Sequence, residues 1–551
     1  MAGRLTPRSV EEHSDGGMTD ESLDIYDDGS KRHGIGHRTI KGPPLEVLVN
    51  ICPQPPYIKD MQDVRINNCI FMIRPFKYNP TNRSREPVPI NDNTRYVDTW
   101  DDHHVRMPCS LSYISKRNGQ VRWPIICNLL SNLKRKCDNH TATVEDLKRT
   151  IENCVERHYN MDCLEHLINE IYSNEQRSYF MSNVLSSICT LALNVDILCS
   201  QSPPLLRIGS NRSVTMSQRQ AASLLACAFF CLFPYRTGSK VKKEYENFQN
   251  PNFNTLYQRG PLEKIEKLKC ILHYFERITR QMPNGVITFR RYALPDQASP
   301  KWGKSTKGLT AMHLTTARKI EDIECVLQVD FANKYIGGGV LTSGCVQEEI
   351  RFVICPEMLV SLLVCEVLAP NECIYLIGCE RYSSYRGYAN TFKYAGDYLD
   401  DKAKDNWGRK WSHLVAIDAT YFRERETQYN MKSIKRELIK ALAGFHAHGR
   451  TASGAFPIAT GNWGCGAFNG DRQLKAIIQL AAASEAVRPL IYATYGDKNL
   501  IESFYPVYDY LIGQRAQVQH LYRYLDQYCN GRLRCSIFDF ILRTPVSSLG
   551  S

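Results

Sequence analysis

The segment Asp330-Phe331-Ala332-Asn333, followed by Gly337-Gly338-Gly339 and, after a seven-residue spacer, by Gln347-Glu348-Glu349, decides how the rest of the chain is read. It leaves a strand expected at Cys325 to Val329. Three consecutive glycines strip every Cβ from a piece of backbone, so a ribose or phosphate could reach its amides. A flexible turn without a ligand is the competing reading. Adjacent glutamates are ordinary on a solvated helix face. This pair, however, follows Cys345 and Val346 and precedes Ile350, Phe352, Val353 and Ile354. Burial in such a setting raises carboxyl pKa values, and the neighbouring like charge raises one of the pair further. A carboxyl kept protonated near neutrality can act as a general acid, giving its proton to a leaving oxygen.

A second glycine-rich stretch, Gly461-Asn462-Trp463-Gly464-Cys465-Gly466-Ala467-Phe468-Asn469-Gly470, lies between an expected strand, Phe456 to Ala459, and a helix, Arg472 to Ala486. Strand, glycine loop and helix N-terminus together make an anion site, because free amides and the helix dipole face the ligand. The loop fits a diphosphate, with a structural turn as the alternative. Neither standard nucleotide motif is present: G-x-G-x-x-G spacing is absent, and Gly303-Lys304-Ser305 has Ala298 where a P-loop needs glycine. The tyrosine-dense element Arg381 to Asn390 and the strand end Tyr492 to Asp497 offer rings for stacking on a base or covering a ribose, or for ordinary packing.

From about Gly285, short β-rich runs alternate with helices, the pattern of a layered α/β unit. Strands are expected at Val286 to Arg290, Cys325 to Val329, Cys373 to Ile377, Leu414 to Ile417, Phe456 to Ala459 and Leu490 to Thr494. Helices are expected at Glu357 to Leu368, Lys432 to Gly444 and Arg472 to Ala486. Upstream, Val144, Leu147, Ile151 and Val155 recur at helical spacing after Thr143, a candidate N-cap. Ser217 and Gln220 form a capping-box pattern before the apolar stretch Ala221 to Phe233, with Pro234 as its stop. With an amphipathic helix at Leu262 to Ile278, these make a mostly helical accessory domain. The expected organisation is a disordered tail (1–43), that accessory domain with a wrapping N-terminal segment (44–284), a catalytic α/β domain (285–530) and a C-terminal tail (531–551).

At 551 residues, with 43% hydrophobic and 23% charged side chains, the chain has the composition of a large soluble globular protein. The net charge of +12 favours anionic partners. The 21 cysteines form no C-x-x-C pair and often sit in apolar runs, which reads as buried, reduced thiols. The polar N-terminus lacks the apolar core of a secretory signal, and the longest apolar run, Ala221 to Phe233, is short of the ~20 residues that span a bilayer. The expected location is cytosol or nucleus, with no membrane partner.

The triple glycine, the spacer and Gln347-Glu348-Glu349 together resemble the signature of the poly(ADP-ribose) glycohydrolase family, notably its animal members. The resemblance extends over Trp100 to Ser110, Thr215 to Pro234, Asn252 to Leu256, Val329 to Asn333, Gly387 to Thr391 and Ala459 to Asp471, and covers roughly Val97 to Tyr528. It implies a macrodomain, a mixed sheet between helices, preceded by the helical accessory domain. It implies hydrolysis of ribose-ribose bonds in poly(ADP-ribose) on modified proteins, with ADP-ribose as product, by a monomer of nucleus and cytoplasm serving the DNA damage response. No metal or redox cofactor is needed, and no sequence-specific nucleic-acid binding is expected. By position, Ile320 and Glu321 would contact adenine. Asn333 and Glu348 would hold ribose hydroxyls, and Gln347 would help order the catalytic loop and the nucleotide. Gly337, Gly338 and Gly339 would line the ligand, and Tyr388 and Tyr495 would flank it. The backbone of Asn462, Trp463, Gly464, Cys465, Gly466 and Ala467 would bind the diphosphate, with Phe468 packed beside it. Glu349 would be general acid and then base, with Glu348 and Asp330 completing the catalytic group. Two departures stand out: Tyr495 where the family often has Phe, and Cys345 where an aliphatic residue is usual, which suggests an oxidation-sensitive loop.

Two other classes stay open from residues alone. A macrodomain can bind ADP-ribose without cleaving it, although both glutamates, Asp330 and Asn333 are all present here. A nucleic-acid binder would use the positive charge and Lys240, Lys242 and Lys243, but no nucleic-acid module accompanies them.

Overall fold

Ten strands join into one mixed sheet in a computed structural model that describes residues 39–550, apart from 50–54, 56, 65–67, 80–85, 92–95, 237–244, 246, 447–449, 452–453 and 532–534. The strands in chain order are β1 (Ile40–Lys41), β2 (Cys69–Phe71), β3 (Ser213–Ser217), β4 (Val286–Ala293), β5 (Met312–Thr315), β6 (Leu327–Ala332), β7 (Glu372–Ile377), β8 (Ser383–Arg386), β9 (Lys393–Asp397), β10 (His413–Asp418), β11 (Arg450–Thr451), β12 (Gly454–Ala455), β13 (Ile458–Gly461) and β14 (Leu490–Ala493). Sheet order is β1-β5-β14-β13-β6-β10-β7-β4-β3-β2, while β8-β9 and β11-β12 form separate pairs. The run β5-β14-β13-β6-β10 is parallel; β7, β4 and β3 continue it antiparallel.

The central strands β7 and β10 are buried along their whole length and largely apolar because both faces of the sheet are covered. Side chains alternate across the pleat: Leu414 and Ala416 of β10 join one core, with the helices before residue 281, while Val415 and Ile417 join the other. That second core is closed by helices Met431–His446, Arg472–Glu485, Lys498–Gly513, Val518–Asn530 and Ile537–Arg543. No helix among the described residues is long and apolar enough to cross a membrane.

Several local expectations match the structure. Thr143 accepts from the Asp146 amide, and Ser217 from the Gln220 amide, each in a reciprocal capping box. Others need correction. The helix after Ser217 spans Gln218–Phe229 and stops ahead of Pro234, because Cys231 turns left-handed at φ +57° and the Leu232 amide reaches back to Cys227. Glu357 to Leu368 is a 3-10 turn, Pro356–Leu359, then a short helix, Val360–Val364; a bridge between Leu206 and Cys365 draws the chain extended there. Strands β3 and β5 and the long helix Arg122–Asp138 were not anticipated.

The boundary at 284/285 does not divide two sheets, since β4 pairs with β3 on one side and β7 on the other. The tail assigned to 1–43 ends earlier: Ile40–Lys41 pairs with β5, and the Pro43 carbonyl meets His313 Nδ1 at 2.9 Å. Residues 1–38 lie outside the described residues, as do Lys240, Lys242 and Lys243. The C-terminal stretch is packed rather than a free tail. Phe538 stacks on Phe504 at 5.2 Å, and the Tyr524 hydroxyl donates to the Thr544 carbonyl.

β4 is also tied to β7 through charge. Arg291, fully buried, pairs with Glu372 and donates to the carbonyls of Leu206, Glu366 and Val367. Removing the cation leaves the buried Glu372 carboxylate with no counter-charge, held among the described residues only by the Gly209 and Ala369 amides, and takes a donor from three carbonyls. Arg291→Met is therefore expected to lower unfolding free energy by about 3–5 kcal/mol, checked by urea denaturation.

Candidate active site

Strand β6 lies inside the parallel run and delivers Asp330 and Asn333 to its carboxyl edge, where ligands of open α/β sheets bind. The glutamate pair is not on a loop: Gln347, Glu348 and Glu349 are the first turn of a helix, Gln347–Ile354. Gln347 stitches that helix to β6, its Oε1 accepting from the Phe331 amide at 2.8 Å and its Nε2 donating to the Val329 carbonyl at 3.1 Å. Glu348 accepts from the amides of Gly337 at 2.6 Å and Asn333 at 2.8 Å. Glu349 accepts from Gly339 at 2.8 Å and, reaching back over its own helix start, from Val346 at 2.9 Å. An acidic residue in a first helical turn is placed to do this.

The triple glycine therefore has a different use from the one expected. Its amides do not face an open ligand site: those of Gly337 and Gly339 hold the two carboxylates, and that of Gly338 donates to Tyr335. Glycine is required because the carboxylates lie against bare backbone. A Cβ on Gly338, where φ is +49°, would stand 2.5 Å from Glu349 Oε1 and 2.7 Å from Glu348 Oε2.

Burial first, then the charges of Asp330 and Glu349, push the Glu348 carboxyl well above the usual carboxylate range, against the pull of the Asn333 and Gly337 amides. Asp330 is fully buried, and neither of its carboxyl oxygens has a hydrogen-bond partner among the described residues. Burial, then Glu349, raise it to about 8, with Arg351 opposing. The expected raised carboxyl thus falls on Glu348 and Asp330.

Next to β6, strand β13 runs into the second glycine loop. Backbone amides of Gly464, Gly466, Ala467 and Phe468 find no partner among the described residues, whereas those of Trp463, Cys465, Asn469 and Gly470 close turns within the loop. Asp471 caps the following helix through the Leu474 amide. Asn462 bridges to β14, donating to the Thr494 carbonyl and meeting the Tyr492 hydroxyl. Trp463 is core: its ring is fully buried, Nε1 donates to the Ile417 carbonyl, and the Lys475 ammonium lies over it at 4.1 Å, so only its backbone could serve a ligand. Phe468 meets Tyr421 edge-on. Beyond β14, Tyr495 and Tyr388 approach with centroids 5.0 Å apart. Ile320 packs under Ala459 and Ile491, and Glu321 accepts from the Tyr385 hydroxyl.

Cys345 is not poised for oxidation. Burial pushes its thiol up to about 12, and the thiolate is the reactive form. No cluster of three or more His, Cys, Asp or Glu side chains among the described residues could hold a metal. Two side chains that escaped the sequence reading, Gln249 and Lys267, reach the catalytic loop from the helical region. Lys267 carried a signal, being a cation on the apolar stripe of Leu262–Arg280 with Leu268 and Ile271.

Fold and site together define a macrodomain-type protein with a helical layer built onto its sheet. The family model described as "Poly (ADP-ribose) glycohydrolase (PARG), Macro domain fold" matches residues 299–502, and the one described as "Poly (ADP-ribose) glycohydrolase (PARG), helical domain" matches 172–291. The chain is 33% identical over 426 residues to an Arabidopsis thaliana protein named "Probable poly(ADP-ribose) glycohydrolase 2", covering 66% of this chain and 80% of that one. It is 32% identical over 448 residues to the same plant's "Poly(ADP-ribose) glycohydrolase 1", covering 67% and 81%. To a Caenorhabditis elegans protein named "Poly(ADP-ribose) glycohydrolase 1" it is 37% identical over 306 residues, covering 53% and 37%. The chain belongs to the poly(ADP-ribose) glycohydrolase family, a family of hydrolases.

Two outcomes follow from this geometry. Gly338→Ala displaces both carboxylates, and a misplacement of about 1 Å is expected to cut turnover roughly 10²-fold, measured as initial rates with circular dichroism confirming the fold. Asp330 binds its proton more tightly folded than unfolded, so stability falls as pH rises from about 4 toward about 8, the raised Glu348 adding in the same direction. Asp330→Asn should flatten that decline in urea unfolding at pH 5 and pH 8.

Proposed function

We propose that the chain hydrolyses the ribose-ribose glycosidic bonds of poly(ADP-ribose), releasing ADP-ribose, with Glu349 as the acid and base. The observation that carries this reading is the pair of buried carboxylates, seated on the glycine backbone at the carboxyl end of β6, beside a loop whose four unpartnered amides suit a diphosphate. Glu348 and the Asn333 side-chain amide would hold the distal ribose hydroxyls. The Asn333 oxygen accepts from the Tyr335 amide, so Nδ2 would be the donor to the substrate. Tyr388 and Tyr495 would flank the nucleotide, and Ile320 and Glu321 would meet the adenine.

Glu349 would donate its proton to the departing ribose oxygen as the C1–O bond breaks. The oxocarbenium-like centre then takes up water, whose proton returns to Glu349. Glycosidases with two catalytic acids place them across the bond, ~5 Å or more apart. Glu348 and Glu349 lie side by side against one glycine, so one glutamate acting twice fits better.

The test is release of free ADP-ribose from purified poly(ADP-ribose), with ADP-ribose affinity followed by calorimetry. Glu349→Gln should lose about 10²- to 10⁴-fold in turnover or more while keeping affinity for ADP-ribose. Binding without release by the parent protein would make this a reader of the polymer, and full activity of Glu349→Gln would remove the assignment of the acid.

A further inference from the structure

Two side chains from the helical region grip the backbone that touches Glu349. The Gly338 carbonyl and the Gly339 amide belong to one planar peptide unit. The amide points at Glu349 Oε1 at 2.8 Å, and the carbonyl, on the opposite side of the plane, accepts from Gln249 Nε2 at 2.9 Å. Fixing one end of that plane fixes the direction of the other. The same Gln249 nitrogen lies 3.4 Å from the Tyr335 carbonyl, the acceptor for the Gly338 amide, so both neighbouring peptides are tied to one side chain.

Lys267 grips the far side of the loop. Its ammonium, fully buried, donates to the carbonyls of Gly344 at 2.5 Å and Thr342 at 2.7 Å, and lies 3.3 Å from that of Gly339. Three N–H donors meet three backbone acceptors, which satisfies a lysine in full. Gly344 is itself pressed on the site, for a Cβ there would stand 2.8 Å from Glu349 Oε1. Two of the backbone pieces in contact with the Glu349 carboxylate are thus each held from behind by a side chain outside the macrodomain match. Burial holds the lysine down at about 8, with Cys345 and Glu349 opposing, and among the described residues its hydrogen bonds go to the three carbonyls.

We infer that Gln249 and Lys267 are positioning residues for Glu349, setting the Gly338–Gly339 peptide and the Gly339–Gly344 turn against which that carboxylate is aimed. This rests on the reading of Glu349 as the acid. The same helix supplies a control, since Lys264, also buried, donates to the carbonyls of Thr255 and Gln258 at 2.7 Å each and is not bonded to the catalytic loop.

The experiment compares Lys267→Met, Gln249→Met, Lys264→Met and Glu349→Gln in the full chain, measuring kcat and KM for ADP-ribose release, ADP-ribose affinity and Tm. A misaimed carboxylate costs turnover and not ground-state binding, so Lys267→Met and Gln249→Met should lose about 10²-fold in kcat with KM and ADP-ribose affinity within about threefold of the parent. Lys264→Met should lower Tm and leave kcat unchanged. Gln249 is only partly buried, which keeps the test decisive should Lys267→Met fail to fold. Parental kcat in the folded Lys267 and Gln249 variants beside an inactive Glu349→Gln would overturn the positioning role alone, as would an equal loss of kcat in Lys264→Met. An active Glu349→Gln would instead overturn the reading beneath it.

Discussion

Four backbone amides hold two adjacent carboxylates against bare glycine backbone, and the surrounding structure follows from that constraint. Buried carboxyl groups are costly unless hydrogen-bonded, and side chains cannot supply donors at such close range without Cβ clashes. Backbone can, and glycine lets it come closest, as at Gly337 and Gly338, where φ is also positive. The backbone must then be immobile. Gln347 ties the helix start to β6, the parallel strands fix β6, and the helices on the first face of the sheet close over the loop. The helical layer and the sheet share one core on that face, with β4 paired between β3 and β7.

The two glycine loops divide the work. In one, glycine lets side chains of the same chain approach, and its amides are consumed. In the other, the glycines at 464 and 466 leave amides of the loop open beside a capped helix N-terminus. The same residue type at similar density has opposite meanings, decided by what lies across from it. Asp330, buried with no donor among the described residues, is pushed toward its neutral form by burial and by Glu349. A site that keeps acids neutral by burial is arranged for proton transfer.

Much of this was legible in the sequence where the signal is local. Thr143 and Ser217 mark helix starts because caps are short-range hydrogen bonds, and the apolar runs at 373–377 and 414–417 mark strands buried on both faces. Chemistry-bearing residues were legible through motif spacing: Asp330, Asn333, the glycines, Gln347 and the glutamates do converge. What the motif hid was the direction of each contact, since spacing does not say whether an amide faces a ligand or a neighbouring side chain. Trp463 shows the same limit, being core within a ligand loop. Gln249 and Lys267 were hidden because their partners are carbonyls some 70 to 90 residues away. β3 and β5 were missed because Ser213–Ser217 and Met312–Thr315 are short and partly polar, and become strands through pairing.

The most direct measurement is a crystal structure of Glu349→Gln with ADP-ribose bound. The diphosphate should accept from the amides of Gly464, Gly466, Ala467 and Phe468, with the distal ribose against Gln at position 349 and the Gly337 and Gly339 amides still facing the two side chains. A diphosphate seated on the Gly337 to Gly339 amides, with the carboxylate side chain of Glu348 displaced, would contradict the division between the two loops and the catalytic geometry built on it.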